Sequence, residues 1–149
     1  MKNILALDLA TKTGWATGSR PTEITSGVQD FSLQRGDSSG MRYLRFESWL
    51  TDVITLVHPE VIIYEQAHQR GGAPTEIAYG FITHTLKICA KYQIEHQALH
   101  TGTLKKFWTG KGNAGKSEMI AECRRRGFSP RDDNEADAIA LLHWGLEHC

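Results

Sequence analysis

The chain lacks the features that define several common protein classes. No apolar run approaches the roughly 18 residues of a membrane span, which argues against a membrane protein. Its three cysteines, Cys89, Cys123 and Cys149, are odd in number, widely spaced and contain no CxxC pair. That pattern excludes a disulfide framework and a cysteine-based zinc site, and fits reduced thiols. There is no net charge, with 17 Lys and Arg against 17 Asp and Glu. Internal repeats, low-complexity runs and linker-like stretches are also missing, so residues 1–149 read as a single domain, large enough to bury a core. Met1-Lys2-Asn3 leads straight into an apolar segment and leaves no room for a signal peptide. A cytoplasmic protein is the expectation.

What the chain does have is acids in unusual places. Ile4-Leu5-Ala6-Leu7-Asp8 and Val61-Ile62-Ile63-Tyr64-Glu65 are apolar runs that each end in one carboxylate. Asp132-Asp133-Asn134-Glu135-Ala136-Asp137 opens a third apolar stretch, Ala138 to Leu146. An ionised carboxylate beside a core must be paired or bound to a metal. Three such sites in a small chain point to a metal-binding acidic cluster.

The zero net charge conceals an asymmetry. Lys105, Lys106, Lys111, Lys116, Arg124, Arg125, Arg126 and Arg131 face only Glu118 and Glu122 within their segment. From Asp132 onward there are acids but no Lys or Arg. A basic stretch abutting an acidic one suits a protein that holds a polyanion beside a metal. The plainer alternative is a solvated, charged helix face.

Hydrophobic periodicity and turn residues predict strands at 3–9, 14–19 and 23–31, with a turn over Thr11 to Gly14. Amphipathic spacing predicts a helix over 41–57, stopped by Pro59. A buried strand at 61–65, a helix at 74–92 and a strand at 94–99 follow. A short helix at Thr103–Trp108 and helices at 116–126 and 134–147 complete the chain. This order predicts an α/β fold on a mixed sheet.

Four segments carry a family resemblance: ILALDLATKTGWA (4–16), VIIYEQ (61–66), GKGNAGKSEM (110–119) and DNEADAIALLHW (133–144). Together they resemble the RuvC-type Holliday junction resolvases of the RNase H-like nuclease superfamily, most of all the small phage versions. The resemblance implies an RNase H-like mixed five-stranded sheet flanked by helices. It also implies Asp8 and Glu65 side by side on the first and fourth strands, with the last helix bringing its acids over them. The implied activity is metal-dependent endonucleolytic cleavage of four-way or other branched DNA by a homodimer, in a bacterial or phage-infected cell.

Two Mg²⁺ or Mn²⁺ ions about 3.5–4 Å apart suit this chemistry and prefer carboxylate oxygens. Asp8 would bridge them, with Glu65 and Asp137 serving one each. The chain departs from the family three residues before Asp137, where an acid or histidine is usual and Asn134 stands. Asn134 through its amide oxygen, or Asp133 one residue earlier, remains open as the completing ligand. Helix capping accounts for one of Asp132, Asp133 and Asn134, but not for Asp137. The resemblance places Lys116 near the scissile phosphate, Lys105 at a second basic position, and His68 where family members carry a base-stacking aromatic. An idle exposed histidine is the plain alternative for His68. DNA is expected across Lys105, Lys106, Lys111, Lys116 and Arg124 to Arg126.

Gly110 to Ser117 fits the GxxxxGK[ST] phosphate-loop pattern. A true phosphate loop needs an apolar strand before it, and Leu104-Lys-Lys-Phe-Trp108 is not one, which argues against a nucleoside triphosphate. His96 and His100 fall in a predicted strand, too far apart for one zinc ion. Trp15, Trp49 and Trp144 read as core, while Trp108, among lysines, is a candidate base contact. The helix at 74–92 is the candidate dimer surface through Tyr79, Phe81, Ile82 and Leu86. Rival readings are an enzyme cutting RNA–DNA hybrids and an inactive DNA-binding domain of the same fold.

Overall fold

The computed structural model describes residues 1–67 and 71–149. Strand β1 (Ile4–Asp8) turns back through β2 (Lys12–Gly18) and β3 (Thr25–Asp30), each antiparallel to the one before. Helix α1 (Ser39–Val57) leads to β4 (Val61–Glu65), and α2 (Ala73–Tyr92) leads to β5 (Glu95–Leu99). Both strands run parallel to β1, giving the sheet order β3-β2-β1-β4-β5. Helices α3 (Thr101–Thr109), α4 (Lys116–Arg125) and α5 (Asp133–His148) close the chain. The predicted α/β order and mixed five-stranded sheet are present among the described residues.

Every residue of β1 and β4 is buried, because helices cover both faces of the sheet. Side chains alternate between the faces with period two. Ile4, Ala6, Val61 and Ile63 join the core under α3, α4 and α5. Leu5, Leu7, Ile62 and Tyr64 join the core under α1 and α2. By the same alternation Asp8 and Glu65 fall on the α5 face. Helix α5 lies close against that face, since a β-carbon at Gly145 would run into the Ile63 and Ile4 side chains.

Several boundaries and burials differ from the sequence reading. Strand β2 starts at Lys12, within the predicted turn, because the hairpin is tightened by the Thr13 hydroxyl donating to the Ala10 carbonyl at 2.7 Å. Phe81 is a core residue, not a surface one: its ring stacks on Phe46 at 4.4 Å and is fully buried. Of the proposed dimer set, Tyr79 is exposed, while Ile82 and Leu86 are half-buried against the core. Trp108 is only 2% exposed, which removes it as a base contact. Its indole donates to the Met119 carbonyl, and the Arg126 guanidinium lies 3.7 Å from its ring centroid. No helix among the described residues is long and apolar enough to cross a membrane.

Candidate metal centre and nucleic-acid interface

The parallel register pairs Leu7 with Tyr64, so the next residues along, Asp8 and Glu65, end adjacent strands on the same face. On the other side of β1, Asp8 is paired with Gly14 of β2. The missing side chain at Gly14 leaves room for the first turn of α5, whose Asn134 carbonyl lies where a β-carbon would be. Asp132 caps that turn, its carboxylate accepting from the Glu135 amide at 2.8 Å. One turn into the helix, Asp137 reaches the two strand-end acids. One carboxylate oxygen each from Asp8, Glu65 and Asp137 lies within 4.8 Å of the others.

Packing three carboxylates this closely makes their ionised forms costly. Burial, then the charges of Asp137 and Glu65, pushes the Asp8 carboxyl well above its usual range. Burial and Asp137 raise Glu65 to about 8, against the pull of Lys105 and a hydrogen bond from Thr101. Burial raises Asp137 to about 7, opposed first by its hydrogen bond with Asp8 and then by Lys105 and Lys116. A buried all-oxygen donor set with surplus negative charge fits a hard divalent cation. The cluster can therefore hold such a metal.

A cleft of about 490 Å³ opens over the cluster. Four helices start at its rim: Pro74 and Thr75 from α2, Thr101 from α3, Lys116 from α4 and Asp133 from α5 all line it. The positive ends of helix dipoles thus surround the acids at the carboxyl ends of the parallel strands, where α/β sheets bind their ligands.

Sequence comparison finds no matching protein-family model and no matching curated protein. Solved structures do match. Thermus thermophilus RuvC in complex with a Holliday junction substrate aligns over 95% of this chain and 90% of that one, with a TM-score of 0.78 at 17% identity. The chain has the RuvC-type fold. Thermus thermophilus RuvC in a second structure gives a TM-score of 0.71 at 18% identity, covering 93% of this chain and 90% of that one. The yeast mitochondrial Holliday junction resolvase Ydc2 gives 0.61 at 13% identity, covering 97% and 80%. The expected RNase H-like architecture is thereby present.

Within this RuvC-type fold the predicted site residues are distributed unevenly. Asp8, Glu65 and Asp137 form the cluster, and Lys105, Lys116, Asp133 and Asn134 line the same cleft. The Lys116 ammonium lies 3.8 Å from the Asp133 carboxylate and is otherwise largely exposed. Lys106 and Arg124 are exposed, and Lys111 is paired with Glu118 at 3.3 Å. Arg125 and Arg126 both bind Glu122, whose carboxyl they hold down at about 2. His68 lies outside the described residues.

The sequence reading missed Thr101 and Gln66, which also line the cleft. Their signal was position: each follows closely on the end of a parallel strand, β5 and β4 respectively. It also left Glu135 unassigned. That acid is buried and braces the α5 start, accepting from Ser26 at 2.7 Å and from the Arg131 amide at 2.9 Å.

Proposed function

We propose that this chain is a metal-dependent endonuclease that hydrolyses phosphodiesters in branched DNA, four-way junctions first. The observation that carries the reading is the convergence of Asp8, Glu65 and Asp137 at the base of a cleft lined by Lys105 and Lys116. Asp8, Glu65 and Asp137 would hold two Mg²⁺ or Mn²⁺ ions, with Asp8 as the shared ligand and Glu65 and Asp137 serving one each. Such ions supply activation of a water nucleophile and stabilisation of the leaving oxygen. Lys105 and Lys116 neutralise the scissile phosphate and orient it across the cleft. Helix N-termini at the rim favour the neighbouring phosphates. Lys106, Lys111 and Arg124 extend the same surface along the backbone.

A symmetric four-way junction presents two strands for cleavage, which calls for two active sites related by a two-fold axis. We therefore assign the active form as a homodimer. The outer side of α1 and α2 is the docking surface, where Leu44 and Tyr79 are exposed.

The test compares junction, flap, duplex and RNA–DNA hybrid substrates side by side with Mg²⁺, Mn²⁺ and excess EDTA. Junction cleavage that stops in EDTA and in Asp8→Asn, with junction binding retained, is the expected result. Cleavage of hybrids with junctions ignored would overturn the substrate assignment, and full activity in EDTA the metal assignment.

A further inference from the structure

The position three residues before Asp137 is the one at which this chain departs from the resolvase pattern, and the structure gives Asn134 a different occupation. Its side-chain amide nitrogen donates to the backbone carbonyl of Lys12, the first residue of β2, at 2.8 Å. The flipped amide would set two acceptors against each other, so the carbonyl fixes which end faces the strand. Two residues further along β2, Gly14 lies directly beneath the Asn134 backbone carbonyl. The two contacts pin the same turn of α5 to the same strand, beside Asp8. Asp133, one helical turn before Asp137, shares its face, as Asn134 does. Its carboxylate lines the cleft and is 3.8 Å from Lys116.

We propose that Asn134 is a positioning residue that latches the start of α5 to β2, and that Asp133 supplies the fourth carboxylate of the centre. The inference rests on the metal-centre reading above. The hydrogen bond sets the height of the α5 turn over the strand ends, and hence where Asp133 and Asp137 present their oxygens. An aspartate at 134 matches the family pattern in type yet has no donor for the Lys12 carbonyl. Its carboxylate would repel that oxygen and tilt the turn away.

Direct Mn²⁺ binding, measured by calorimetry at 25 °C alongside metal-free melting curves, tests this in the whole chain. Asn134→Ala and Asn134→Asp are each expected to weaken Mn²⁺ binding about tenfold, the range typical when a group that orients metal ligands is lost. Asp133→Asn is expected to weaken it at least as much. Mn²⁺ binding in Asn134→Asp equal to or tighter than wild type would show that position 134 is a ligand and overturn the latch. A lowered melting temperature with unchanged Mn²⁺ affinity in both Asn134 variants would reduce the contact to a general brace and also overturn it. Unchanged affinity in Asp133→Asn would remove Asp133 from the centre. Should Asn134→Asp not fold, Asn134→Ala still tests the latch, since unchanged Mn²⁺ affinity in that variant overturns it. Asp8→Asn serves as the control for the underlying reading: if it binds Mn²⁺ as wild type does, the metal centre itself is misplaced.

Discussion

Gly14 sits directly beneath the backbone carbonyl of Asn134, where a single added methyl group would collide with the start of helix α5. This contact joins the second strand to the last helix at the point where Asp8, paired with Gly14, meets Asp137. Backbone lies on both sides of it, so neither partner can move aside cheaply.

Gly14→Ala is accordingly expected to destabilise the fold by about 2–3 kcal/mol, the upper range for overpacking a tight site. Divalent-ion binding should fall with it, because the α5 acids lift away from Asp8. Gly40→Ala is the contrast: Gly40 lies in the first turn of α1 with nothing near its β-carbon position. That change should be neutral or stabilising by up to about 1 kcal/mol, through helix propensity. Thermal melts of the two variants check the pair, and equal effects would refute the close-approach argument.

Asp8→Asn should abolish cleavage while making the metal-free protein more stable. Asp8 is buried beside Asp137 and Glu65, whose charges raise the energy of its ionised form further. A neutral amide at this position removes that cost, on the order of 1–2 kcal/mol. A melting temperature unchanged or lowered in EDTA would show that the acids are not in electrostatic conflict.

The same conflict sets a pH dependence. Glu65 titrates near 8 and Asp137 near 7 in the native state, both raised chiefly by burial. In the unfolded chain both ionise near the usual carboxylate value of about 4. Between those limits the native state binds more protons, so metal-free stability falls as pH rises toward 7 and 8. Melting in EDTA across pH 5 to 9 should show this decline. Mg²⁺ should flatten it by binding the ionised cluster, and most strongly at the alkaline end. A metal-free curve that rises toward pH 8 would contradict the raised values.

The basic residues should divide into two groups. Lys105→Ala and Lys116→Ala, at the cleft, are expected to weaken junction binding and lower the slope of its salt dependence by about one each. Arg125→Ala should change binding less, since Glu122 already holds that guanidinium. Arg126→Ala should act on stability instead, by about 1–2 kcal/mol, through loss of the Trp108 stack and the bond to its carbonyl. Fluorescence anisotropy at several salt concentrations, with melts alongside, separates the groups. Equal loss of binding in all four variants would contradict the division.

The sequence by itself determined the element order, because each cue was local. Apolar runs marked β1 and β4, Pro59 marked the turn after α1, and helical spacing marked α1 and α2. It also marked Asp8, Glu65 and Asp137, since an acid at either edge of an apolar run stands out without any knowledge of its neighbours. Only the tertiary structure decided which groups meet. Phe81 and Trp108 looked available along the chain, and packing against Phe46 and under Arg126 buried them. Arg124 to Arg126 read as one basic run, and the helix geometry bound two of the three to Glu122. The difference between Asp133 and Asn134 could not be read from spacing, because both share a helix face with Asp137. What distinguishes Asn134 is a hydrogen bond to the carbonyl of Lys12, 122 residues away in the chain. Local pattern fixes what a segment is, whereas close packing fixes which of its side chains remain free to act.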